Sequence, residues 1–552
     1  MRKQFSRTAA LVLAGAIAAG ALTGCGNGGK SNSGQTQAVS TETGSTDAGT
    51  SETTASVSED AGLHNLEDGV LDIGTGITWD TLTPLRSNIG NNAPFAMAAY
   101  ETLARLTENK EYVPQVAKSW VAEEDGKNFD VEIYDYVTDS AGNAITASDI
   151  VWMIKLQQEA ALKPAFAKVE SVEQTGDYTL RITMKKDMVG AFEAILTNTF
   201  VVSQKAYEES KDQFATEIIS TSPYKVTEFV SGSVLSFEKR DDYWQKPELI
   251  PEETAANVDK LSFHVIKEAS QAGIALETGD IDAFVQLDQN TAVQFVDNPA
   301  FSMEANSYIN GYQLYFSGGD NRNIATDENL RKAICYAIDT DGLIKGVFAG
   351  YGKSMHDPIA DTSVGYLEKW KDEEYYPYDV EKAKELIGQS NYKGEELEFL
   401  ATSSSTIQRV CQMIQGYLLQ VGINVKLNLV DQALYTATRL DGTQYDMTIN
   451  TVGGETLPDH WSIRYDYQAY KTGDATARHD EALGELLYKT WTKEGFTEEN
   501  IDEVHNYLKD HMYAYGMVQP ENIDVWRTDL GITKTVHTNK GSIDFTSCQY
   551  QE

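Results

Sequence analysis

The fold class of this chain is decided by residues 396–429, ELEFLATSSSTIQRVCQMIQGYLLQVGINVKLNL. Residues 396–402 have the length and apolar content of a strand, and residues 406–420 carry an apolar stripe at helical spacing. Gly422 stands where the glycine that ends a helix is expected. Residues 423–429 alternate between apolar and polar side chains, as a half-buried strand does. A strand, a helix and a second strand in succession predict a parallel crossover and therefore an α/β lobe.

The sequence before this unit predicts further short elements. We expect a strand at 70–76, a helix at 93–106 and a hairpin at 119–134 that turns at Asp125-Gly126-Lys127. Thr146-Ala147-Ser148-Asp149 has the pattern of a capping box, which predicts that a helix begins there. About 490 residues follow position 65, which is more than one hydrophobic core holds, so we expect two or three lobes.

The first 25 residues have the layout of an export signal. Arg2, Lys3 and Arg7 are followed by an uncharged apolar run over 9–22, too short for a comfortable membrane span. The run ends in Leu22-Thr23-Gly24-Cys25, which resembles a bacterial lipobox. We therefore expect residues 1–24 to be a lipoprotein signal peptide and Cys25 to be lipidated. The alternative is an ordinary signal peptide that happens to end near a cysteine.

Residues 25–65 have the composition of a tether. They are rich in Gly, Ser, Thr and Ala and almost free of large apolar side chains. Such a stretch cannot bury enough surface to offset its ordering entropy, so we expect a disordered spacer between the lipid anchor and the folded part. We therefore expect the protein to be lipid-anchored at the extracytoplasmic face of the cell membrane, at the cell surface or in the periplasm.

The charge of the chain excludes some partners. The formal net charge is −38, and it becomes about −41 when the three positive charges of residues 1–24 are removed. We expect no nucleic-acid partner, because the phosphate backbone requires positive surface. The excess of acidic residues keeps the protein soluble, or alternatively it forms an acidic binding site for a cationic ligand. Cys335, Cys411 and Cys548 are too widely separated for a disulfide framework or a metal site, and no catalytic or cofactor motif is present.

Seven short motifs occur in order along the chain. They are 99–103 (AYETL), 113–120 (VPQVAKSW) with 125–127 (DGK), 146–151 (TASDIV), 279–282 (GDID), 330–334 (LRKAI), 337–339 (AID), and 378–379 (YD) with 382–387 (KAKELI). Each motif alone is weak, but the ordered set extends over most of the chain and resembles the extracellular solute-binding proteins of family 5, which serve peptide and nickel ABC importers. One departure occurs at 220–224, where STSPY replaces the family's usual GTGPY.

The resemblance implies a bilobal α/β fold of the periplasmic-binding-protein type, with an inserted extra domain and the ligand between the lobes. We expect lobe I to comprise residues 66–100, 222–310 and 528–552. The inserted domain is expected at 101–221 and lobe II at 311–527. The resemblance also implies a monomer that delivers its solute to ABC permease subunits.

The segment 445–470 is the predicted ligand contact. A strand at 445–451 leads into Gly453-Gly454, and the acids Glu455 and Asp459 follow. In the peptide-binding members of the family, an acid in this region receives the α-amino group, and a carboxylate facing an ammonium is a strong contact. Both acids qualify, and we favour Glu455. The other expected ligand-binding residues are Trp461, Arg464, Tyr224 and the two glycines, which let backbone approach the ligand.

Two classes of function remain open. The first is a transport receptor for peptides, with oligosaccharides or a nickel chelate as alternative solutes. The 29 tyrosines and 8 tryptophans of the chain would also suit stacking on sugars. The second is a surface-anchored enzyme, against which stands the lack of any catalytic constellation. We expect neither a cofactor nor a resident metal.

Overall fold

The computed structural model describes residues 61–86, 93–107, 109–307, 311–319, 321–452, 456–466, 468, 480–538 and 541–551. The predicted signal peptide, Cys25 and nearly all of the predicted tether lie outside the described residues. In chain order the strands are β1 (Leu71–Thr75), β2 (Ala104–Leu106), β3 (Tyr112–Pro114), β4 (Ala117–Ala122), β5 (Asn128–Ile133), β6 (Val169–Gly176), β7 (Thr179–Met184), β8 (Tyr224–Val230), β9 (Val234–Lys239), β10 (Lys260–Val265), β11 (Ala283–Leu287), β12 (Phe301–Ser307), β13 (Gly311–Phe316), β14 (Gly352–Ser354), β15 (Leu397–Thr402), β16 (Val425–Val430), β17 (Met447–Val452), β18 (Ala514–Arg527), β19 (Ile532–Lys534) and β20 (Gln549–Tyr550).

Fifteen α-helices are described between these strands. They are α1 (Ala93–Ala99), α2 (Ala147–Ala160), α3 (Ala191–Asn198), α4 (Gln204–Glu209), α5 (Ala269–Thr278), α6 (Gln289–Ala292), α7 (Asn323–Thr326), α8 (Glu328–Ala337), α9 (Thr340–Val347), α10 (Val380–Gln389), α11 (Ser405–Gln420), α12 (Gln432–Arg439), α13 (Leu457–Tyr465), α14 (Glu481–Lys489) and α15 (Glu498–His511). None of the helices in the described ranges is both long and apolar enough to cross a membrane.

The predicted crossover is confirmed. Strands β15 and β16 pair in parallel from Leu397 opposite Val425 to Thr402 opposite Val430, and α11 joins them. Gly422 adopts φ +89° just after α11, the left-handed conformation that a glycine allows. The capping box is also confirmed, since the Asp149 carboxylate accepts a hydrogen bond from the Thr146 backbone N–H at 2.8 Å at the start of α2.

One long strand joins the two halves of the main sheet. The sheet runs β16-β15-β17-β13-β18-β11-β1-β10-β9-β8. The beginning of β18 pairs with β13, and its end pairs with β11 and β12. We call the part around β1 and β8–β12 lobe I, and the part around β13–β17 lobe II. The chain therefore forms a mixed α/β structure of two lobes that share β18.

A second sheet stands apart from the main one. Strands β4-β5-β7-β6 form it, and α2 and α3 pack against it over a core in which the rings of Phe129 and Phe192 stack at 3.8 Å. We call residues 103–201, which carry nearly all of this core, the small domain. Its sheet falls within the predicted inserted domain of 101–221. The domain boundaries predicted from the sequence stay a prediction.

The predicted helix at 93–106 is wrong in its second half. Helix α1 ends at Ala99, and residues 104–106 form β2, which pairs antiparallel with β3. Backbone pairing overrides the helical spacing here. The Thr102 N–H donates to the Gln115 side chain at 3.1 Å, and the Leu103 N–H donates to the Leu196 carbonyl at 3.1 Å. Tertiary hydrogen bonds of this kind outweigh a weak local propensity.

Candidate functional site

Strand β17 and helix α13 carry most of the described part of the predicted ligand segment, and α13 contacts the small domain. It begins after Thr456, with Pro458 in its first turn, a position that a proline tolerates because its missing N–H is not needed there. Asp459 in this first turn forms an ion pair with Lys168 of the small domain. The side chain of Asp459 is 11 % exposed and that of Lys168 is 23 % exposed, so the pair is largely shielded from water. A carboxylate predicted to hold a ligand is therefore engaged by the protein itself.

Two further hydrogen bonds join the small domain to lobe II beside this pair. The Tyr112 and Thr456 hydroxyls lie 3.3 Å apart. The Lys110 ammonium donates to the Asp361 carbonyl at 2.8 Å. We call this set of contacts, together with the Lys168–Asp459 pair, the seam.

The seam continues along the start of α3. The Val189 N–H donates to the Trp491 carbonyl at 2.7 Å, and the Lys186 ammonium lies 4.4 Å from the centroid of the Trp491 ring. Gly190 packs so closely that a Cβ atom on it would lie 2.5 Å from Thr456 Cβ. The small domain and lobe II are thus in direct, polar and closely packed contact.

Three predicted ligand residues lie together on α13, but two of them face the protein interior. Trp461 is fully buried in the core of lobe II with Leu457 and Tyr315. The guanidinium of Arg464 lies 5.3 Å from the centre of the Tyr315 ring. These positions make Trp461 and Arg464 anchors of the helix within lobe II.

The remaining predicted residues lie elsewhere. Tyr224 stands at the start of β8 in lobe I, where its hydroxyl donates to the Val258 carbonyl at 2.8 Å. Tyr224 packs in a core of lobe I that is separate from the core that holds Trp461. Gly453, Gly454 and Glu455 lie outside the described residues.

Two side chains of this region, Lys168 and His460, are not predictable from the local sequence. Lys168 precedes Asp459 by 291 positions, and nothing in the local pattern pairs them. His460 is 3 % exposed, and burial together with the nearby charge of Arg464 lowers its pKa to about 3. The imidazole of His460 is therefore neutral at physiological pH.

The end of β18 is held within lobe I by Asp524. Its two carboxylate oxygens accept the backbone N–H groups of Gln286, at 2.8 Å, and Ile543, at 2.6 Å. Gln286 lies at the end of β11 with φ +58°, an uncommon conformation for a residue with a side chain. Burial raises the pKa of Asp524 to about 7, against the opposing effect of the two backbone donors. In the described ranges no group of three or more His, Cys, Asp or Glu side chains is placed to hold a metal ion.

Comparisons with known proteins agree with this architecture. The model of the bacterial extracellular solute-binding proteins, family 5 Middle, matches residues 111–474. The glutathione-binding protein GsiB of Pectobacterium atrosepticum is 24% identical over 374 residues, which cover 65% of this chain and 69% of that protein.

Two solved structures share the fold. DppA from Helicobacter pylori, in complex with the peptide STSA, superposes with a TM-score of 0.72 at 21% identity, covering 88% of this chain and 98% of that one. NikZ from Campylobacter jejuni, in complex with Ni(L-His), gives a TM-score of 0.68 at 19% identity, with coverage of 84% and 94%. The fold of this chain is therefore that of a periplasmic binding protein.

Proposed function

Because the chain belongs to the bacterial extracellular solute-binding proteins of family 5, we propose that it captures peptides and is anchored to the membrane through Cys25. Members of this family are the extracytoplasmic solute-binding components of ABC importers, so the chain is a transport receptor that works with permease subunits and not an enzyme. The choice of a peptide as the solute and the lipid anchor are the parts that we propose.

The observation that carries the proposal is the seam. Two parts of the chain remote in sequence, residues 110–190 and 361–491, meet through an ion pair, hydrogen bonds and close packing. Contacts of this kind stabilise a closed arrangement and are lost when the parts separate. A protein that alternates between open and closed arrangements can enclose a solute and release it at a permease. Helix α13, which follows directly on the predicted ligand residues 453–455, forms one side of the seam.

Two relatives support a peptide as the solute. GsiB is named for binding glutathione, and the DppA structure holds a peptide. An oligosaccharide has no such support among these relatives.

Within the predicted ligand segment, we assign the recognition of the α-amino group to Glu455. Asp459 is engaged by Lys168, so its negative charge is already matched within the protein. A carboxylate that is already paired gains less from a second cation than a free one does. Gly453 and Gly454 would let the backbone of the ligand approach closely.

A thermal-shift screen tests the proposed solute. The full-length protein is heated in the presence of short peptides, oligosaccharides and a nickel–histidine chelate. A solute that binds only the folded protein stabilises it, by about 2.7 kcal/mol at one hundred times the Kd of that solute. The melting temperature therefore rises. We expect peptides to shift the transition. If oligosaccharides or the chelate alone do so, the peptide assignment is wrong while the family assignment stands.

A further inference from the structure

A cavity of about 340 Å³ lies between lobe I and the small domain, and none of the residues that form the seam lines it. None of its lining residues comes from lobe II; all lie before position 287 or after position 536. One wall is the apolar face of the main sheet, formed by Ile73, Phe263 and Val285, and residues 542–547 line it as well. The size is at the lower end of the about 300–1,000 Å³ typical of sites for small organic molecules.

The cavity reaches the surface. Two of its lining side chains, Met97 and Leu249, are 42% and 44% exposed. Glu253 is also exposed at this end, where it pairs with Arg105 at 3.6 Å. A small molecule can therefore enter the cavity without any separation of lobe I from lobe II.

Glu101 is a buried carboxylate in the lining of this cavity. It is 3 % exposed, and its Oε1 accepts a hydrogen bond from the Tyr243 hydroxyl at 2.7 Å. Its Oε2 has no hydrogen-bond partner among the described residues. A buried carboxylate oxygen left without a donor costs a large part of its desolvation free energy. Glu101 therefore lines the cavity with a carboxylate that has one buried oxygen unsatisfied by the described part of the protein.

The neighbouring cations do not supply a donor to this oxygen. The guanidinium of Arg240 is engaged by Asp242 and by backbone carbonyls, among them that of Asp139 at 2.9 Å. Arg105 pairs with Glu253 at the surface end. The charged residues that line the cavity are three acids, Glu101, Glu253 and Asp544, and one base, Arg105. His537 also lines the cavity, and its ring is paired with Glu304 at 2.7 Å. The cavity combines an apolar wall with an excess of acidic side chains.

We propose that this cavity is a second binding site, which takes a small organic cation with an apolar body and holds its ammonium group at Glu101. The ammonium donates to Oε2 of Glu101, and the apolar body lies against Ile73, Phe263 and Val285. Tyr224, one of the residues expected from the sequence to bind the transported solute, also lines the cavity, but no residue of α13 or of any other part of lobe II does, so we expect the cavity to bind independently of the solute.

The protonation of Glu101 gives the site a recognisable pH dependence. Burial raises the pKa of Glu101 to about 7, against the opposing effects of the Tyr243 hydrogen bond and the charges of Arg105 and Arg240. Burial also raises the pKa of Asp544. A cation binds the ionised carboxylate, and the ionised fraction of a group with a pKa of about 7 falls from about 0.9 at pH 8 to about 0.1 at pH 6. We therefore expect binding to weaken about tenfold over that interval.

Calorimetry with benzylammonium chloride, and with benzyl alcohol as the neutral counterpart, tests the proposal. The wild-type protein should bind the ammonium more tightly than the alcohol at pH 8, and more weakly at pH 6 than at pH 8. Glu101→Gln keeps an acceptor for Tyr243 and removes the charge. It should weaken ammonium binding about 10- to 100-fold, as expected for a charge-assisted hydrogen bond, and abolish the pH dependence.

The matched control is Glu193→Gln. Glu193 is a carboxyl of the small domain whose pKa is also raised by burial, and it does not line the cavity. It should leave ammonium binding unchanged. If Glu101→Gln does not fold, Ala98→Leu, which places a larger side chain in the lining, should block binding instead.

Three results would overturn the proposal: equal affinity for the ammonium and the alcohol, unchanged binding in both cavity variants, or no binding at all, meaning a cavity that holds water only. A saturating peptide should leave ammonium binding unaffected. The peptide-binding function is measured separately, so its failure and the failure of this site give different results.

Discussion

Removing the charge of Lys168 is expected to loosen the closed arrangement without disturbing either domain. Lys168→Met keeps the length and apolar stem of the side chain and deletes only the ammonium that pairs with Asp459. Because the pair joins the small domain to lobe II, its loss destabilises only the closed arrangement. The folded state of each domain keeps its own core, and the melting temperature of the unliganded protein should change little.

The magnitude follows from the burial of the pair. Removing one partner of a fully buried pair costs about 3–5 kcal/mol, whereas an exposed pair contributes about 0–1 kcal/mol. With side chains 23 % and 11 % exposed, the Lys168–Asp459 pair lies between these limits, at about 2 kcal/mol. That is a factor of about 30 in the equilibrium between closed and open arrangements. Peptide affinity should fall by up to the same factor, because only the closed arrangement retains the ligand.

A double-mutant cycle read by calorimetry separates the seam from direct ligand contact. If Asp459 acts through Lys168, Asp459→Asn should cost little further affinity in the Lys168→Met background. Lys185→Met is the matched control, because Lys185 donates to the Ala167 carbonyl within the small domain and takes no part in the seam. Full additivity of the two losses would refute the reasoning and would place Asp459 against the ligand.

Three further outcomes are expected. Cys25→Ala should move the protein from the membrane fraction to the soluble fraction; unchanged membrane association, with no lipid mass on the wild-type N-terminus, would contradict the anchor. Gly190→Ala should weaken peptide binding because its Cβ would collide with Thr456, whereas Gly142→Ala, at a similar φ but with open space around it, should leave binding unchanged; equal binding by both would refute the packing at the seam. Asp524, whose pKa is about 7 in the folded state against about 3.9 when unfolded, stabilises the protein most below about pH 4 and loses that contribution as pH rises to about 7. Asp524→Asn should therefore show a smaller fall in melting temperature between pH 5 and pH 8 than the wild type, and an equal fall would contradict the assignment.

The parts of the fold that the sequence predicts are those with local signals. The apolar stripe of α11 and the alternation in β16 identified the crossover, and the Thr146–Asp149 pattern located the start of α2. The end of α1 was not predicted, because residues 104–106 keep helical spacing and become a strand only by pairing with β3. Long-range pairing of this kind leaves no periodic signal in the chain.

In the candidate site, too, the sequence predicts only the features that have a local signal. The segment around Asp459 was identified from its glycines, acids and aromatic residues, yet its partner Lys168 belongs to another domain and is ordinary in its own context. The structure places Trp461 in the core of lobe II, and its contact with a ligand stays a prediction. Spacing along one helix cannot distinguish a side chain that faces a ligand from one that faces a core. Glu101 likewise lies in a motif that resembles the family, while its burial and its available oxygen arise only from the folded structure.

Small-angle scattering during a peptide titration tests most directly the claim that the lobes close on a peptide. The wild-type protein should show a smaller radius of gyration at saturation with a free peptide. An N-acetylated peptide of the same sequence should bind much more weakly, because it lacks the charged α-amino group that Glu455 is proposed to hold. A radius of gyration that stays constant while calorimetry shows full binding of the free peptide would contradict the account.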